Sequence, residues 1–254
     1  MFVALPLIEG ARLELPAAAA RHVQVLRLQP GDALTLFDGG AGGAEQEWPA
    51  SIVSIGRRDV EVLVGAPRSV ERELPWPVTL AVAPPANDRA DWLIEKAAEL
   101  GAAVFQPLAG ERSVLRLAGA RAESKHRHWQ AVAAAASEQC GRVRVMRIEP
   151  VLALPTWLDH CARQAEAERA AGAASCRRLV LSLAPDATLP GARLAPSAPA
   201  SIVVLSGPEG GLAPSEERLA IEHGFVATSL GRRVLRSETA PLALLAWLGI
   251  AGLG

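Results

Sequence analysis

Residues 202–211, Ile-Val-Val-Leu-Ser-Gly-Pro-Glu-Gly-Gly, constrain this chain more than any other stretch. Ile202 to Leu205 is a short β-branched run, the pattern of a buried strand. It breaks at Gly207-Pro208-Glu209-Gly210-Gly211. Three glycines and a proline in five residues make a turn that no strand or helix interior can hold. A short helical stretch and another strand follow, then a second glycine loop at Leu230-Gly231, leading into Arg232-Arg233-Val234-Leu235-Arg236-Ser237-Glu238-Thr239. Two glycine loops at the carboxyl ends of two nearby strands are where an α/β sheet places its ligand.

The rest of the chain supplies that sheet. From residue 78 the pattern alternates: strand Val78–Ala83, helix Arg89–Leu100 ended by Gly101, strand Val104–Leu108, helix Ala120–Gln139 ended by Gly141. Then come strand Arg144–Ile148, helix Thr156–Ala171 and strand Leu179–Leu183. Asn87-Asp88 is read as the cap of the first helix. Residues 185–200, with four prolines, read as a loop. Alternation of this kind implies an α/β fold with a mainly parallel sheet covered on both faces.

Residues 1–72 read differently. Leu13–Leu15, Ala33–Phe37, Trp48–Ile55 and Val60–Val64 are short strands, with one helix from Ala17 to Leu28. The glycine-rich loop Asp38–Gly43 and the turn at Gly56–Asp59 separate them. Short strands with glycine turns suggest a compact barrel. Arg68 to Pro77 reads as a linker, so the chain divides into 1–72 and 73–254.

Charge is informative only locally. The formal net charge is −1. Residues 1–73 carry 7 basic and 10 acidic residues. Between Glu111 and Arg147, eight basic residues face three acidic ones, an excess that can attract a phosphate backbone; a solvated helix face accounts for it equally well. Arg236, at a helix N-terminus where a cation opposes the dipole, is a candidate for gripping an anion. Ser237 or Thr239 can cap that helix.

Several classes are set aside. The 207–211 loop is neither a G-x-G-x-x-G nor a P-loop, so pyrophosphate binding is not its natural task. There is no G-x-S-x-G elbow. His126 and His128 fall on different helix faces, and no His/Cys spacing suggests a metal. Cys140, Cys161 and Cys176 form no C-x-x-C pair, and an odd count argues against a disulfide framework. The N-terminus lacks a signal-peptide pattern, and the uncharged run Pro241–Gly254 is shorter than the ~18 residues a membrane span needs. A cytoplasmic protein is expected.

Taken together, Ser206–Gly211 and Ser229–Ala240 closely resemble the C-terminal signature of the bacterial 16S rRNA (uracil-N3) methyltransferases, of the SPOUT class. Further blocks in the same order extend the resemblance along the chain: Arg21–Asp32, Asp88–Gly101, Glu111–Val114 and Glu138–Arg142. The resemblance implies a PUA-like RNA-binding β-barrel followed by a domain with a deep trefoil knot. It implies S-adenosylmethionine as methyl donor, a homodimer, and a uridine of small-subunit rRNA as substrate. It places cofactor contacts at Leu205, Ser206, Gly207, Gly210, Gly211, Leu230, Gly231 and Leu235. Arg236, Glu238 and Glu209 become the catalytic candidates, and Arg21, Arg27, Arg89, Arg112 and Arg142 the substrate contacts.

Three departures stand out. Pro85-Ala86-Asn87-Asp88-Arg89 lacks the usual lysine, so a basic contact to substrate is either missing or supplied by Arg89. Leu212-Ala213 replaces a serine cap, a loss of about 1 kcal/mol. Pro241 replaces alanine and must lie in the first helical turn. The alternative is a non-catalytic RNA-binding protein retaining the barrel and the knotted domain. A nucleotide-using α/β enzyme lacks its fingerprint here.

Overall fold

The structure, a computed structural model, describes residues 1–40, 45–86, 88–172, 176–190 and 200–251. Asn87, the end of the glycine loop after Gly40, and residues 191–199 of the proline-rich loop lie outside them. The chain divides into two compact units. One comprises Met1–Glu73 with Ser137–Val145, the other Leu74–Ala136 with Met146–Gly254.

The first unit is an antiparallel sheet with one helix. Its elements are β1 (Arg12–Glu14), α1 (Ala17–Val25), β2 (Ala33–Leu36), β3 (Gln46–Ile55), β4 (Val60–Val64) and β5 (Arg68–Ser69). The strand order is β1-β4-β3-β2, with β5 also on β3. Strand period drives the packing. Val60, Val62 and Val64 point into the core with Leu36 and Ile52, while Glu61 points out to Arg12. Each buried valine contributes about 1.5–3 kcal/mol. Ala19, Ala20 and Val23 bring α1 onto the same core.

Helix α1 ends earlier than the Leu28 read from sequence. The Arg27 N–H bonds to the Gln24 carbonyl and the Leu28 N–H to the Val23 carbonyl, and Arg27 has φ of 56°. This is a Schellman stop with arginine where glycine is usual. The segment 137–145 is tied into this unit. Glu138 accepts the Phe2 N–H, and Arg72 donates to the Gly141 carbonyl at 2.7 Å. The strand expected at Arg144–Ile148 is therefore cut to its last two residues, because the Val145 N–H goes to the Gly39 carbonyl at 3.3 Å.

The second unit carries a parallel sheet. Its strands are β6 (Val78–Val82), β7 (Val104–Ala109), β8 (Arg147–Ile148), β9 (Leu152–Ala153), β10 (Cys176–Leu181), β11 (Ser201–Ser206) and β12 (Val226–Thr228). Its helices are α2 (Asp88–Glu99), α3 (Gly119–Cys140), α4 (Leu154–Ala170), α5 (Pro214–Glu222) and α6 (Thr239–Ala251). The strand order is β12-β10-β11-β6-β7-β8, with β9 on β7. All of these pairings are parallel. Val78, Leu80, Ala81 and Val82 are fully buried, as expected for a strand covered on both faces.

The order places β11, a late strand, beside β6, the first of the unit. Chain direction along the sheet reverses there, and loops that leave the carboxyl ends on either side diverge to leave a crevice. Helix α6 packs against α2, β6 and β11 through Leu242, Leu244, Leu245 and Leu248. Pro241 lies in its first turn, where no intrahelical bond needs the missing N–H. Among the described residues, no helix is long and apolar enough to cross a membrane.

Candidate active site

A cleft of about 450 Å³ opens at the carboxyl ends of β10, β11 and β12. Three loops line it, and Arg89 of α2 closes one side. Its volume falls within the range of small-molecule sites.

The first wall is the loop after β11. A Cβ on Gly207 would lie 2.7 Å from the Leu212 nitrogen, too close for any other residue without backbone movement. Gly211 has φ of 69° and donates to the Pro208 carbonyl at 2.8 Å. Arg112 holds the far side of this turn, donating to the carbonyls of Gly210 (3.0 Å) and Leu212 (3.3 Å). Ala213 has no side-chain acceptor, so only half of a capping box forms at α5. Buried Glu216 accepts the Ala213 N–H at 2.8 Å, and its other oxygen accepts the Glu111 N–H at 2.7 Å. One carboxylate thus forms the remaining half of the capping box and fastens the loop after β7 to the start of α5.

The second wall is the segment after β12. Gly231 has φ of 101°, and its N–H donates to Ser229 Oγ at 3.2 Å. Leu230, Leu235, Arg233 and Arg236 face the cleft. The Arg236 carbonyl accepts from Thr239 (2.9 Å) and Ala240 (3.0 Å), starting α6. Among the described residues, Arg232, Arg233 and Arg236 form no ion pair with a carboxylate. All three are exposed.

The third wall, Leu181-Ser182-Leu183, carries no motif, and reading the sequence for motifs missed it. Ser182 Oγ donates to Glu217 of α5 and accepts the Ala184 N–H at 2.9 Å. The carboxyl-end rule, applied to β10, was the available signal.

Of the residues expected at the cofactor, Ser206, Gly207, Gly211, Leu230, Gly231 and Leu235 line the cleft. Leu205 is fully buried in the core beneath it, and Gly210 turns its carbonyl to Arg112 instead. Of the catalytic candidates, Arg236 and Glu209 line the cleft and Glu238 does not. Both carboxylates meet Arg89. Its Nη2 lies 2.9 Å from Glu209 Oε1 and its Nη1 lies 3.7 Å from Glu238 Oε1.

The arginines expected to touch substrate separate by burial and partner. Arg21 and Arg27, in the first unit, are exposed. Arg112 is exposed but bonded to loop carbonyls. Arg142 departs from the expectation. It is 4% exposed, and its Nε reaches both oxygens of Glu73, at 3.0 and 3.1 Å. A guanidinium so enclosed cannot present its charge to RNA.

The chain matches two family models, "RNA methyltransferase domain" over residues 72–249 and "RNA methyltransferase PUA domain" over residues 15–65. Its relatives include ribosomal RNA small subunit methyltransferase E of Synechocystis sp., 36% identical over 97% of this chain and 75% of that protein. The enzyme of the same name from Bacillus subtilis is 31% identical over 87% of this chain and 82% of its own length. The chain belongs to the ribosomal RNA small subunit methyltransferase E family.

Solved structures of similar proteins agree in fold over nearly the whole chain. The Neisseria gonorrhoeae methyltransferase E, bound to S-adenosyl methionine, superposes with a TM-score of 0.85 at 31% identity, covering 98% of this chain and 96% of that one. A Legionella pneumophila methyltransferase with SAM bound gives a TM-score of 0.85 at 32% identity with the same coverage. The cleft offers a cradle that a Cβ at Gly207 would fill, a mixed apolar and backbone lining, and arginines at one rim that form no ion pair among the described residues.

Proposed function

We propose that this protein uses S-adenosylmethionine to methylate N3 of a uridine in 16S rRNA of the small ribosomal subunit. The observation that carries this reading is the cleft itself. It joins a backbone cradle sized for a small cofactor to two arginines, Arg233 and Arg236, that have no carboxylate partner among the described residues. S-adenosylmethionine supplies a methyl group on a sulfonium, already a good leaving group. Ser206, Gly207, Gly211, Leu230, Gly231 and Leu235 hold it through close main-chain approach and apolar contact. The likeness to solved relatives with that cofactor bound supports the assignment.

Methylation at N3 requires loss of a proton that is not acidic at neutral pH, so the site must favour the uracil anion. Arg236 does this by placing a cation at the rim, where no carboxylate among the described residues pairs with it. Arg233 receives a neighbouring phosphate. Neither Glu209 nor Glu238 is assigned as a base, since Arg89 engages both. The proton leaves to water. Arg21 and Arg27 add RNA contacts from the first unit.

The active form is a homodimer. Helix α6 is uncharged along its length, and Ala243, Ala246, Trp247 and Ile250 recur on its outer side at helical spacing, Ile250 being 73% exposed. A second copy covering this stripe would remove it from water. The residues after β11 thread a trefoil knot that brings the two glycine loops together. The enzyme works in the cytoplasm, where the small subunit is assembled.

Incubation with methyl-labelled S-adenosylmethionine and small subunits from a strain lacking the gene tests the proposal. Label is expected in 16S rRNA. A non-catalytic RNA-binding protein would bind the rRNA and transfer none.

A further inference from the structure

At Arg89, segments from the ends of β6 and β11 and the start of α6 meet on a single side chain. It sits in the first turn of α2, just past the carboxyl end of β6. One arm of its guanidinium holds Glu209 of the first glycine loop at 2.9 Å; the other faces Glu238, at the start of α6, at 3.7 Å. Glu209 also receives the Ala86 N–H at 3.4 Å, which joins the loop after β6 to the same group.

The two carboxylates differ in how much they depend on this cation. The Glu209 side chain is 26% exposed, so water shares in its solvation. The Glu238 side chain is 7% exposed, and it accepts a hydrogen bond from Ser237 Oγ at 3.1 Å. A carboxylate that far from water is destabilising unless a cation stands beside it. The planar guanidinium points separate N–H groups at the two carboxylates in a fixed geometry, which the point charge of a lysine does not reproduce.

The neighbouring arginines make the contrast. Arg233 and Arg236 line the same cleft and meet no carboxylate among the described residues. Their charge remains available to an anionic ligand, whereas that of Arg89 is balanced within the protein. We propose that Arg89 is a positioning residue: it keys the Glu209 loop to the Glu238 segment and so sets the spacing of the two cofactor walls, rather than gripping RNA. The proposal rests on the reading of the cleft as the S-adenosylmethionine site.

A double-mutant cycle with Arg89→Met and Glu238→Gln tests it, read in two ways. The first is thermal unfolding of the cofactor-free protein. Arg89→Met lowers Tm, and adding Glu238→Gln restores more than half of the loss, because the neutral amide needs no cation. Additive losses would overturn the proposal. The second is calorimetric affinity for S-adenosylmethionine and for a 16S rRNA fragment. Arg89→Met weakens cofactor binding about tenfold and leaves RNA binding by the cofactor-free protein within about twofold. Unchanged cofactor affinity with weakened RNA binding and a salt slope shallower by about one would make Arg89 a phosphate contact and overturn the proposal. Should Arg89→Met not fold, Arg89→Lys is expected to fold and to bind cofactor with intermediate affinity; wild-type affinity there would also count against the proposal. Absence of cofactor binding by the wild-type protein would sink the assignment of the cleft alone, since the unfolding cycle still decides whether Arg89 and Glu238 are coupled.

Discussion

Arg142 and Glu73, 69 residues apart in sequence, form a two-pronged ion pair with side chains only 5% and 11% exposed. It ties residues 137–145 to the end of the first unit's main segment. Breaking a buried pair by removing one partner costs about 3–5 kcal/mol, because the other charge is stranded. Arg142→Met is therefore expected to be strongly destabilising in urea unfolding, and Arg142→Met with Glu73→Leu much less so. A loss under about 1 kcal/mol for the single variant would show that the pair is solvated.

Gly207→Ala tests the cradle. The new methyl would sit 2.7 Å from the Leu212 nitrogen, and backbone cannot move aside as a side chain can. The loop must shift, and about tenfold weaker binding of S-adenosylmethionine is expected, with urea unfolding little changed. Wild-type affinity in a calorimetric titration would contradict this.

Asp91 gives a pH signature. Burial raises its pKa, but hydrogen bonds from His128 (2.7 Å), Lys125 (2.9 Å) and Trp129 (2.9 Å) together bring it below the ordinary value. A depressed carboxylate contributes stability above its unfolded pKa, about 3.9, and loses it as pH falls through the folded value. Wild type should be more stable than Asp91→Asn at pH 7, and the Tm gap should close in acid. A gap of constant size down to pH 3 would mean that the carboxylate's charge contributes nothing.

Arg236 is expected to act on the reacting base. Arg236→Ala should lower kcat about 10²–10³-fold while leaving S-adenosylmethionine affinity within about twofold. With no side-chain base, the wild-type rate of the chemical step should climb about tenfold per pH unit from neutrality upward. A plateau near pH 7 would point to a titrating side chain, and Glu209 would return as the candidate.

Much of this site is legible in the sequence, and the misses have physical causes. The β-branched run at Ile202–Leu205 and the glycines at 207, 211 and 231 announce strands and tight loops through local sterics alone, and the structure puts them around one cleft. The wall at Ser182 has no such signature, since its geometry comes from Glu217 of α5, 35 residues away. Counting charges between Glu111 and Arg147 could not separate Arg142 from its neighbours. Its burial is decided by Glu73, and Arg112 is taken by carbonyls 98 and 100 residues on. Glu216 looks like an ordinary first-turn acid, yet its second oxygen accepts the N–H of Glu111, 105 residues earlier. Local conformation can be read from local residues; long-range pairing of charges cannot.

Methylation at one position of one base leaves a direct chemical trace in the rRNA. Mass mapping of nucleosides from 16S rRNA, compared between a strain with the gene deleted and the same strain carrying the wild-type gene or Arg236→Ala, tests it most directly. A single N3-methyluridine is expected to disappear on deletion, return with the wild-type gene and stay strongly reduced with Arg236→Ala. An N3-methyluridine that persists at full level in the deletion strain would contradict it.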